Sequence, residues 1–366
     1  NYWSDYTGQD TDGDGIGDTP YVIDVNNQDN HPLIHPYGSI RNLDTNLTYL
    51  TIQSAINAPE TSDGHTIFAS SGTYYENVVV DKSVSLIGEN RDTTIIDANR
   101  TGRAIEIRAN SVNITGFTIK GSGDYGIYLN NAIYCNITKN SITNNWEPIR
   151  LYWSLANIIS RNDITNNSNG IGLYWSLNNI ISDNNITDNG NDGIHIFRFS
   201  SYNRISGNNI TNNNEGIHLI DSSNNRIYGN NITNNSFEGI GLASSSNNTI
   251  SDNNIADNGY GRLIFRVEEG YGIWLSSSSN NIIYHNNFMN NTNQVWGSYS
   301  TNTWDYGYPS GGNYWNDYTG IDSNSDGIGD TPYVIDANNR DRYPLMHPWS
   351  LLPVHNINTG LGYATI

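Results

Sequence analysis

The sequence predicts an all-β fold, a right-handed parallel β-helix, and three observations indicate it. From about residue 124 the chain repeats a unit of 22 to 24 residues with the pattern G-I-x-L followed by N-x-I-x-x-N-x-I-T-x-N. Apolar and polar residues alternate over three to five positions, as in 216–220, which is the periodicity of a strand. The strands lie too close along the chain for helical crossovers. Coils of three short parallel strands must therefore stack on one another.

Two columns of residues measure the repeat independently. The isoleucine of the first motif recurs at Ile127, Ile149, Ile171, Ile194, Ile217, Ile240 and Ile273. The asparagine before the next strand recurs at Asn140, Asn162, Asn184, Asn208, Asn230, Asn253 and Asn286. The spacings are 22, 22, 23, 23, 23 and 33 for isoleucine and 22, 22, 24, 22, 23 and 33 for asparagine, so the columns agree. The last step contains a ten-residue insertion around Tyr260–Gly270.

The isoleucine column and a second apolar column are expected to point into the coil and to stack along its axis. The second column is Leu129, Leu151, Leu173, Ile196, Leu219, Leu242 and Leu275. The recurring asparagine is placed at the bend between strands. There it tolerates left-handed backbone and hydrogen-bonds the asparagines above and below it.

Four segments are predicted along the chain. Residues 1–38 form a calcium-loop end module, 39–300 the β-helix, 301–350 a second calcium-loop end module, and 351–366 a linker with the start of a next unit. The β-helix opens with a capping helix near 51–58, which has helical spacing and ends before Pro59. Such a helix covers strand edges that would otherwise be exposed at the open end.

A 37-residue segment occurs twice, at 1–37 and at 313–349, offset by 312 residues without a gap. Both copies contain D-x-[DN]-x-D-G, in which oxygens at alternate positions wrap a hard cation and glycine permits the sharp turn. Tyr21 and Tyr333 replace the bidentate glutamate of an EF-hand, so a helix–loop–helix sensor is not predicted. The alternative is a turn that binds nothing. The predicted Ca²⁺ ligands are Asp10, Asp12, Asp14, Asp18 and Asp24 in the first copy, and Asp322, Asn324, Asp326, Asp330 and Asp336 in the second.

The opening of the predicted β-helix resembles the pectin-lyase-like β-helix proteins through Gly72-Thr-Tyr-Tyr-Glu-Asn-Val and Lys82-Ser-Val-Ser-Leu-Ile-Gly-Glu. Within them it is most similar to the NosD-like repeat proteins of methanogenic archaeal cell surfaces, over essentially all of 40–350. The loops resemble the calcium loops of dockerins and thrombospondin-type repeats. The resemblance implies the fold and an extracellular, cell-surface location. It does not fix an activity, because the superfamily mixes lyases, hydrolases, binding proteins and structural proteins.

Composition excludes several classes of partner. The chain carries 36 acidic and 17 basic side chains, a net charge of −19, and only three lysines, Lys82, Lys120 and Lys139. Nucleic acid is excluded because phosphate binding needs clusters of lysine and arginine. No membrane span is predicted, since no apolar run reaches about eighteen residues. The single Cys135 has no partner for an intramolecular disulfide.

The chain is predicted not to be an enzyme. A glycosidase needs two carboxylates about 5–10 Å apart, but Asp183 and Asp252 lie three coils apart. They belong to the column before the recurring asparagine, which is typical of a solvated turn: Lys139, Arg161, Asp183, Gly207, Gly229, Asp252 and His285. His195 and His218 occupy equivalent positions on adjacent coils. Their column offers no third ligand, so a solvent-exposed pair is favoured over a metal site, copper included.

Aromatic residues give a further hypothesis. Trp153 and Trp175 lie 22 residues apart in near-identical L-Y-W-S-L segments, and with Tyr152, Tyr174 and Phe197 they would form an aromatic patch. If the patch faces outward, it would stack on sugar rings or bury against another subunit. The alternative is that one of each pair packs into the core or a turn.

The function expected is that of an extracellular structural or adhesive cell-surface protein. Residues 355–366 match 41–52 at an offset of 314, so the chain reads as one unit of a longer tandem array or of a head-to-tail filament, sheath or surface layer. The alternative is an accident of the chain's boundaries in a non-assembling adhesin. The partners expected are copies of itself or neighbouring tandem units, and polysaccharide. The competing functions are carbohydrate binding and polysaccharide degradation.

Overall fold

The computed structural model describes residues 1–11, 14–260 and 270–350, with the backbone of two short strands at Val354–His355 and Gly362–Tyr363. Asp12, residues 261–269 of the insertion and, apart from those two strands, the predicted linker at 351–366 lie outside the described residues. By its internal contacts the chain divides into two units, 1–169 and 170–366.

In the first unit each coil contributes one strand to each of three sheets, named A, B and C. Sheet A contains Val78–Val80, Ile105–Ile107, Tyr125–Asn130 and Glu147–Tyr152. Sheet B contains Ile40–Asn42, Leu47–Tyr49, Thr66–Ala69, Ser85–Gly88, Asn113–Thr115, Asn136–Thr138 and Ile158–Ser160. Sheet C contains Gly72–Tyr74, Thr94–Asp97, Thr118–Lys120, Ser141–Thr143 and Asp163–Thr165. Pairing between coils is parallel, whereas the opening hairpin 40–49 is antiparallel.

The second unit repeats this arrangement with parallel pairing throughout its coils. Its sheet A contains Ile171–Tyr174, Ile194–Phe197, Ile217–Ile220, Ile240–Ala243, Tyr271–Ser276 and Asn293–Ser298. Its sheet B contains Ile180–Ser182, Arg204–Ser206, Arg226–Tyr228, Thr249–Ser251 and Ile282–Tyr284. Its sheet C contains Asn185–Thr187, Asn209–Thr211, Asn231–Thr233, Asn254–Ala256, Asn287–Met289 and Tyr314–Trp315.

The apolar columns stack in register inside the coils. In the first unit Ile127 pairs with Ile149, and in the second unit Ile217 pairs with both Ile194 and Ile240. Every residue of the two predicted apolar columns is at most 1% exposed. Each such side chain contributes roughly 1.5–3 kcal/mol by leaving water. The predicted all-β, right-handed parallel β-helix and its two inward columns are therefore confirmed.

The recurring asparagines are buried and form a hydrogen-bonded ladder along the coils. The Oδ1 of Asn230 accepts the backbone N–H of Asn208 at 3.0 Å, and its Nδ2 donates to the carbonyl of Ile205 at 3.0 Å. The backbone N–H of Asn230 donates in turn to the Oδ1 of Asn253 at 3.0 Å. Each side chain thus pairs backbone groups at a bend, where the sheets no longer pair them.

Further ladders, which the sequence reasoning missed, occupy the other bends. In the second unit two of them consist of asparagine and one of serine. Their members are Asn189, Asn213, Asn235, Asn258 and Asn291; Asn179, Asn203, Asn225, Asn248 and Asn281; and Ser176, Ser200, Ser222, Ser245 and Ser278.

The left-handed backbone falls one residue earlier than predicted. Asp183, Asp252 and His285, each directly before a ladder asparagine, have φ of 57°, 60° and 57°. The asparagine itself stays out of this region, because its side chain must point inward to reach the next coil. The column interpreted as a solvated turn is therefore the set of residues that makes the bend.

A short helix, α1 (Ile52–Asn57), lies at the predicted capping position. Thr51 and Ser54 form a capping box, with the Thr51 Oγ1 accepting the Ser54 N–H at 2.9 Å. Glu76 accepts the N–H groups of Ile52 and Gln53 at 2.9 and 2.8 Å. Burial raises the pKa of Glu76 to about 7 despite these bonds. The helix is thus tied to the first coil.

Three hairpins lie outside the coils, at Tyr21–Asp24 with Asn27–Asp29, Tyr333–Val334 with Arg340–Asp341, and Val354–His355 with Gly362–Tyr363. Sheet C continues past the predicted boundary at residue 300, because Tyr314–Trp315 pairs parallel with Asn287–Met289. Within the described part of the chain, no helix has the length and apolar character needed to cross a membrane.

We expect Asn230→Ala to lower the free energy of unfolding by about 2–4 kcal/mol. It leaves two buried backbone groups unpaired, at about 1–3 kcal/mol each. Asn231→Ala is the matched control, because Asn231 is exposed although it also hydrogen-bonds its neighbours. It should cost less than about 1 kcal/mol. Urea unfolding followed by circular dichroism measures both, and equal losses would contradict the ladder's role.

Candidate functional site

The two copies of the repeated segment, the first copy (1–37) and the second copy (313–349), fold in the same way. In the first copy Leu33 bridges both Tyr2 and Ile16, and Leu345 makes the same pair of bridges at the equivalent positions of the second copy. The hydroxyl of Tyr6 donates to a carbonyl 13 residues later at 2.6 Å, and its equivalent in the second copy does the same at 2.6 Å.

Each copy winds its calcium-type loop around the carboxylate at the loop's first position. Asp10 accepts the N–H groups of Asp14 and Gly15 at 3.1 and 2.8 Å. Asp322 accepts those of Asp326 and Gly327 at 3.2 and 2.9 Å. Two equivalent bonds therefore curl both loops. The acidic side chains along them offer only oxygen atoms, the donors that a hard cation prefers.

The remaining predicted ligands are held by bonds within each copy. Asp18 accepts the N–H of Thr11 at 2.9 Å. Asp330 accepts that of Ser323 at 3.0 Å, and the hydrogen bonds from Ser323 lower its pKa. Asn324 donates its Nδ2 to Asp326 at 3.0 Å. The side chains of four predicted ligands thus hydrogen-bond within their own loops: Asp18, Asn324, Asp326 and Asp330.

Asp24 and Asp336 lie at hairpin turns beyond the loops. Asp24 accepts the N–H of Asn26 at 2.7 Å, and the bonds from Asn26 and Asn27 lower its pKa. Asp336 accepts the N–H of Asn338 at 2.7 Å. Asp12 lies outside the described residues.

An aspartate equivalent in the two copies shows how differently these copies are covered. Asp29 and Asp341 each accept the indole N–H of a tryptophan, Trp3 or Trp315, at 2.9 Å. Hydrogen bonds from the chain's amino group, Trp3 and His31 hold the pKa of Asp29 well below its usual range. Burial raises the pKa of Asp341 to about 7. The aspartate is thus fully buried in the second copy and partly buried in the first.

An open groove of about 700 Å³ lies on the first unit and includes Asp97, Lys120 and Trp146 in its lining. The Lys120 Nζ is 3.4 Å from the Asp97 Oδ2, and Trp146 is 57% exposed. A charged pair beside an exposed indole offers both hydrogen bonds and a stacking face to a sugar ring. The sequence reasoning missed this group, although its members are spaced at about one repeat from one another.

The predicted aromatic residues lie at or beside bends rather than in the core. In the first unit Tyr152 is half-buried, and Trp153 is 53% exposed at a bend with φ 52°. In the second unit Tyr174, Trp175 and Phe197 are half-buried. The rings of Tyr174 and Phe197 meet edge to face at 5.4 Å. These residues are therefore placed on the surface of their units.

The expectation of a solvent-exposed histidine pair is wrong. His195 is only 5% exposed. The Nδ1 of His218 lies 2.8 Å from Glu215 and 3.7 Å from Asp192. Among the described residues, Asp192, Glu215 and His218 form the single group of three His, Cys, Asp or Glu side chains whose ligand atoms all lie within 4.8 Å.

The His218 group is a salt bridge at neutral pH. Burial opposes protonation of His218, but the hydrogen bonds to Asp192 and Glu215 outweigh it and raise its pKa to about 10. A metal ion would first have to displace that proton. The sequence signal for the two acids was their shared position three residues before a histidine. The two acids precede the strands Ile194–Phe197 and Ile217–Ile220, so the column that contains the histidines does not include them.

The comparisons with known proteins agree with the fold. The family described as "Right handed beta helix region" matches residues 103–255 and 196–306, which together span more than half of the chain. A cell surface glycoprotein of Methanothermus fervidus is 42% identical over 113 residues. The aligned part is 30% of this chain and only 18% of that protein. The finer resemblance to NosD-like and dockerin proteins stays a prediction.

Several solved structures share the fold at low sequence identity. ORF18 of Geobacillus virus E2 matches with a TM-score of 0.57 and 14% identity, over 69% of this chain and 54% of that one. A DFA-IIIase mutant from Arthrobacter chlorophenolicus A6 matches with a TM-score of 0.51 and 15% identity, over 69% of this chain and 77% of that one. The A-module of the Azotobacter vinelandii mannuronan C-5 epimerase AlgE6 matches with a TM-score of 0.50 and 14% identity, over 69% of this chain and 93% of that one. These likenesses concern the fold alone. With the family match and the parallel coils in agreement, the chain belongs to the right-handed β-helix family.

Proposed function

We propose that this protein is an extracellular structural component of an archaeal cell surface, one unit of a calcium-stabilised, head-to-tail β-helix assembly such as a filament, sheath or surface layer. One observation carries the proposal. The same folded segment occurs before and after the coils, with its bridges and hydrogen bonds preserved in both copies. A repeated connector of this kind suits a protein that continues from unit to unit.

The relative from Methanothermus fervidus supports the location. That protein is a cell surface glycoprotein, and it is 42% identical to this chain over 113 residues. Stacked coils held by ladders also suit a structural role, because each coil is stabilised by its immediate neighbours.

Calcium is proposed as the stabilising ion of the two loops. Asp10, Asp14 and Asp18, with Asp12, would supply oxygen ligands in the first loop. Asp322, Asn324, Asp326 and Asp330 would supply them in the second. The fit is supported by the winding of both loops around the first aspartate, which brings oxygen-bearing positions into one short turn. A bound cation would also relieve the repulsion among these carboxylates.

We expect the chain to bind two Ca²⁺ ions. Isothermal titration should give a stoichiometry of two for the wild type and for Asp92→Ala, an exposed acid outside the loops. Asp10→Ala and Asp322→Ala should each give one, because each removes the carboxylate that winds one loop. An unchanged stoichiometry in these variants, or no binding at all, would remove the calcium proposal.

The surface assembly is tested on native material from the source cells. Immunogold electron microscopy should place the protein on the cell envelope, and negative-stain images with calcium should show ordered arrays or filaments. Chelator should disperse them, since an ion bound to the assembled form stabilises that form. Label confined to the cell interior, or only dispersed particles in calcium, would contradict the proposal.

A second candidate function is carbohydrate binding on the first unit. The observation that favours it is the groove in which the half-exposed Trp146 accompanies the Asp97–Lys120 pair. On the same unit, the exposed Trp153 offers an alternative stacking face.

Binding to a panel of uronic-acid and neutral polysaccharides tests this candidate. If the groove binds a glycan, we expect Trp146→Ala to weaken binding at least about tenfold, because it removes the stacking face. Trp153→Ala should then leave binding unchanged, and the reverse result would assign binding to the face of the first unit that carries Trp153. No binding by the wild type would reject the candidate, and release of soluble products would identify an enzyme.

A further inference from the structure

We propose that the repeated segment is a two-sided joint. Its coil face, residues 1–3 in the first copy and 313–315 in the second, docks on the last coil of a preceding β-helix. Its cap face, around Gly15 and His35 in the first copy and Gly327 and His347 in the second, docks on the first coils of a following one. The inference rests on the proposed head-to-tail assembly and names the contact between its units. It is drawn from a comparison of the two copies, because each has a different face covered.

The second copy shows what covers the coil face. Asn313 extends the asparagine ladder, since its Oδ1 accepts the backbone N–H of Asn286 at 3.0 Å. The strand Tyr314–Trp315 adds to sheet C beside Asn287–Met289. The ring of Trp315 stacks on Phe288 with centroids 4.3 Å apart and planes within 6°. Asn313 and Trp315 are 0% and 1% exposed as a result.

The same face of the first copy is open. Asn1 and Tyr2, the equivalents of Asn313 and Tyr314, are exposed. Trp3 stacks on Tyr21 at 4.4 Å, but no second ring among the described residues covers its other side. Tyr37, which is equivalent to the half-buried Trp349, is 75% exposed. The first copy thus presents the equivalents of a ladder asparagine and of a strand residue, together with one indole face that no described ring covers.

The first copy in turn shows what covers the cap face. Gly15, with φ of +85°, lies so close to the residues before α1 that a Cβ there would be 2.9 Å from the Leu50 Cβ. The ring of His35 packs on Tyr74 of the first coil with centroids 4.4 Å apart. This face is therefore seated on the start of the β-helix that follows it.

The cap face of the second copy lacks that cover among the described residues. At Gly327, with φ of +87°, a Cβ would meet no described heavy atom within 4 Å. His347, the equivalent of His35, is exposed. The backbone beyond it nevertheless forms a hairpin like the one that opens the β-helix of this chain. Val354 pairs with Tyr363 in the following hairpin in the same register as Ile40 with Tyr49.

The two copies therefore complete one another. The occupant of the first copy's coil face is a terminal coil with the chemistry of residues 283–289, which offers a ladder asparagine, a free strand edge in sheet C and a phenylalanine ring. A second molecule of this chain cannot supply that coil intact, because its own second copy already covers it. We assign the occupant to a preceding β-helix unit on the same polypeptide, in which the first copy stands where residues 313–349 stand here.

The test is a tandem polypeptide in which residues 1–312 are followed directly by residues 1–366. The central Asn1 then occupies the place of Asn313. Hydrogen exchange with mass spectrometry compares the backbone N–H groups of Tyr2 and Ser4 in the central copy with those of the N-terminal copy of the same molecule. The peptides are distinguishable, since only the central ones contain residues 308–312.

We expect the central amides to exchange at least about tenfold more slowly, because their equivalents Tyr314 and Asn316 donate to Asn286 and Phe288 at 2.9 and 3.0 Å. Trp3→Ala in the central copy should abolish the difference. The control Val25→Ala, at a side chain that is 97% exposed, should preserve it.

Equal exchange in the central and N-terminal copies would overturn the proposed joint. This result would be independent of the surface location, which electron microscopy tests. Light scattering on the single chain tests whether a separate molecule can cover the same face. We expect a monomer, and its backbone N–H groups at residues 2–4 should exchange fast. Association of single chains that protects residues 2–4 would overturn the assignment to one polypeptide.

Discussion

The hydrogen bond from a buried asparagine side chain to the backbone of the adjacent coil is the interaction on which the rest of the structure depends. Most strands of the coils have only three or four residues and leave many backbone groups at bends, and buried groups of this kind must be paired. The side chain of Asn230 pairs two of them at once. Without these ladders, the isoleucine columns would have to be buried together with unpaired amides, at a cost that apolar burial alone would not offset.

The same interaction explains how the second copy is joined to the coils. Asn313 belongs to the ladder by its hydrogen bonds and to the repeated segment by its sequence. The coils therefore end on a residue that also begins the connector. Burial of this junction raises the pKa of Asp341 to about 7, whereas hydrogen bonds from the chain's amino group, Trp3 and His31 lower the pKa of the equivalent Asp29.

The sequence predicted the parts of the fold that one repeated residue type determines. Ile127 and Asn140 recur with their columns, so inward stacking and one ladder followed from spacing alone. The other ladders were missed because a pair such as Asn212–Asn213 does not reveal which amide turns inward. The Asp192–Glu215–His218 group was missed because its acids approach from the bend before the strand. Contacts between residues in different columns depend on the coil's cross-section, which periodicity does not give.

Hydrogen exchange at the bends tests the central claim most directly. The backbone N–H of Asn230 donates to a side-chain oxygen of the next coil, as does that of Asn208 before it. Two-dimensional NMR of the exchanging protein should show these amides protected as strongly as those of the neighbouring strand Asn231–Thr233. Exchange at the rate of exposed loops, while the strands stay protected, would contradict the account.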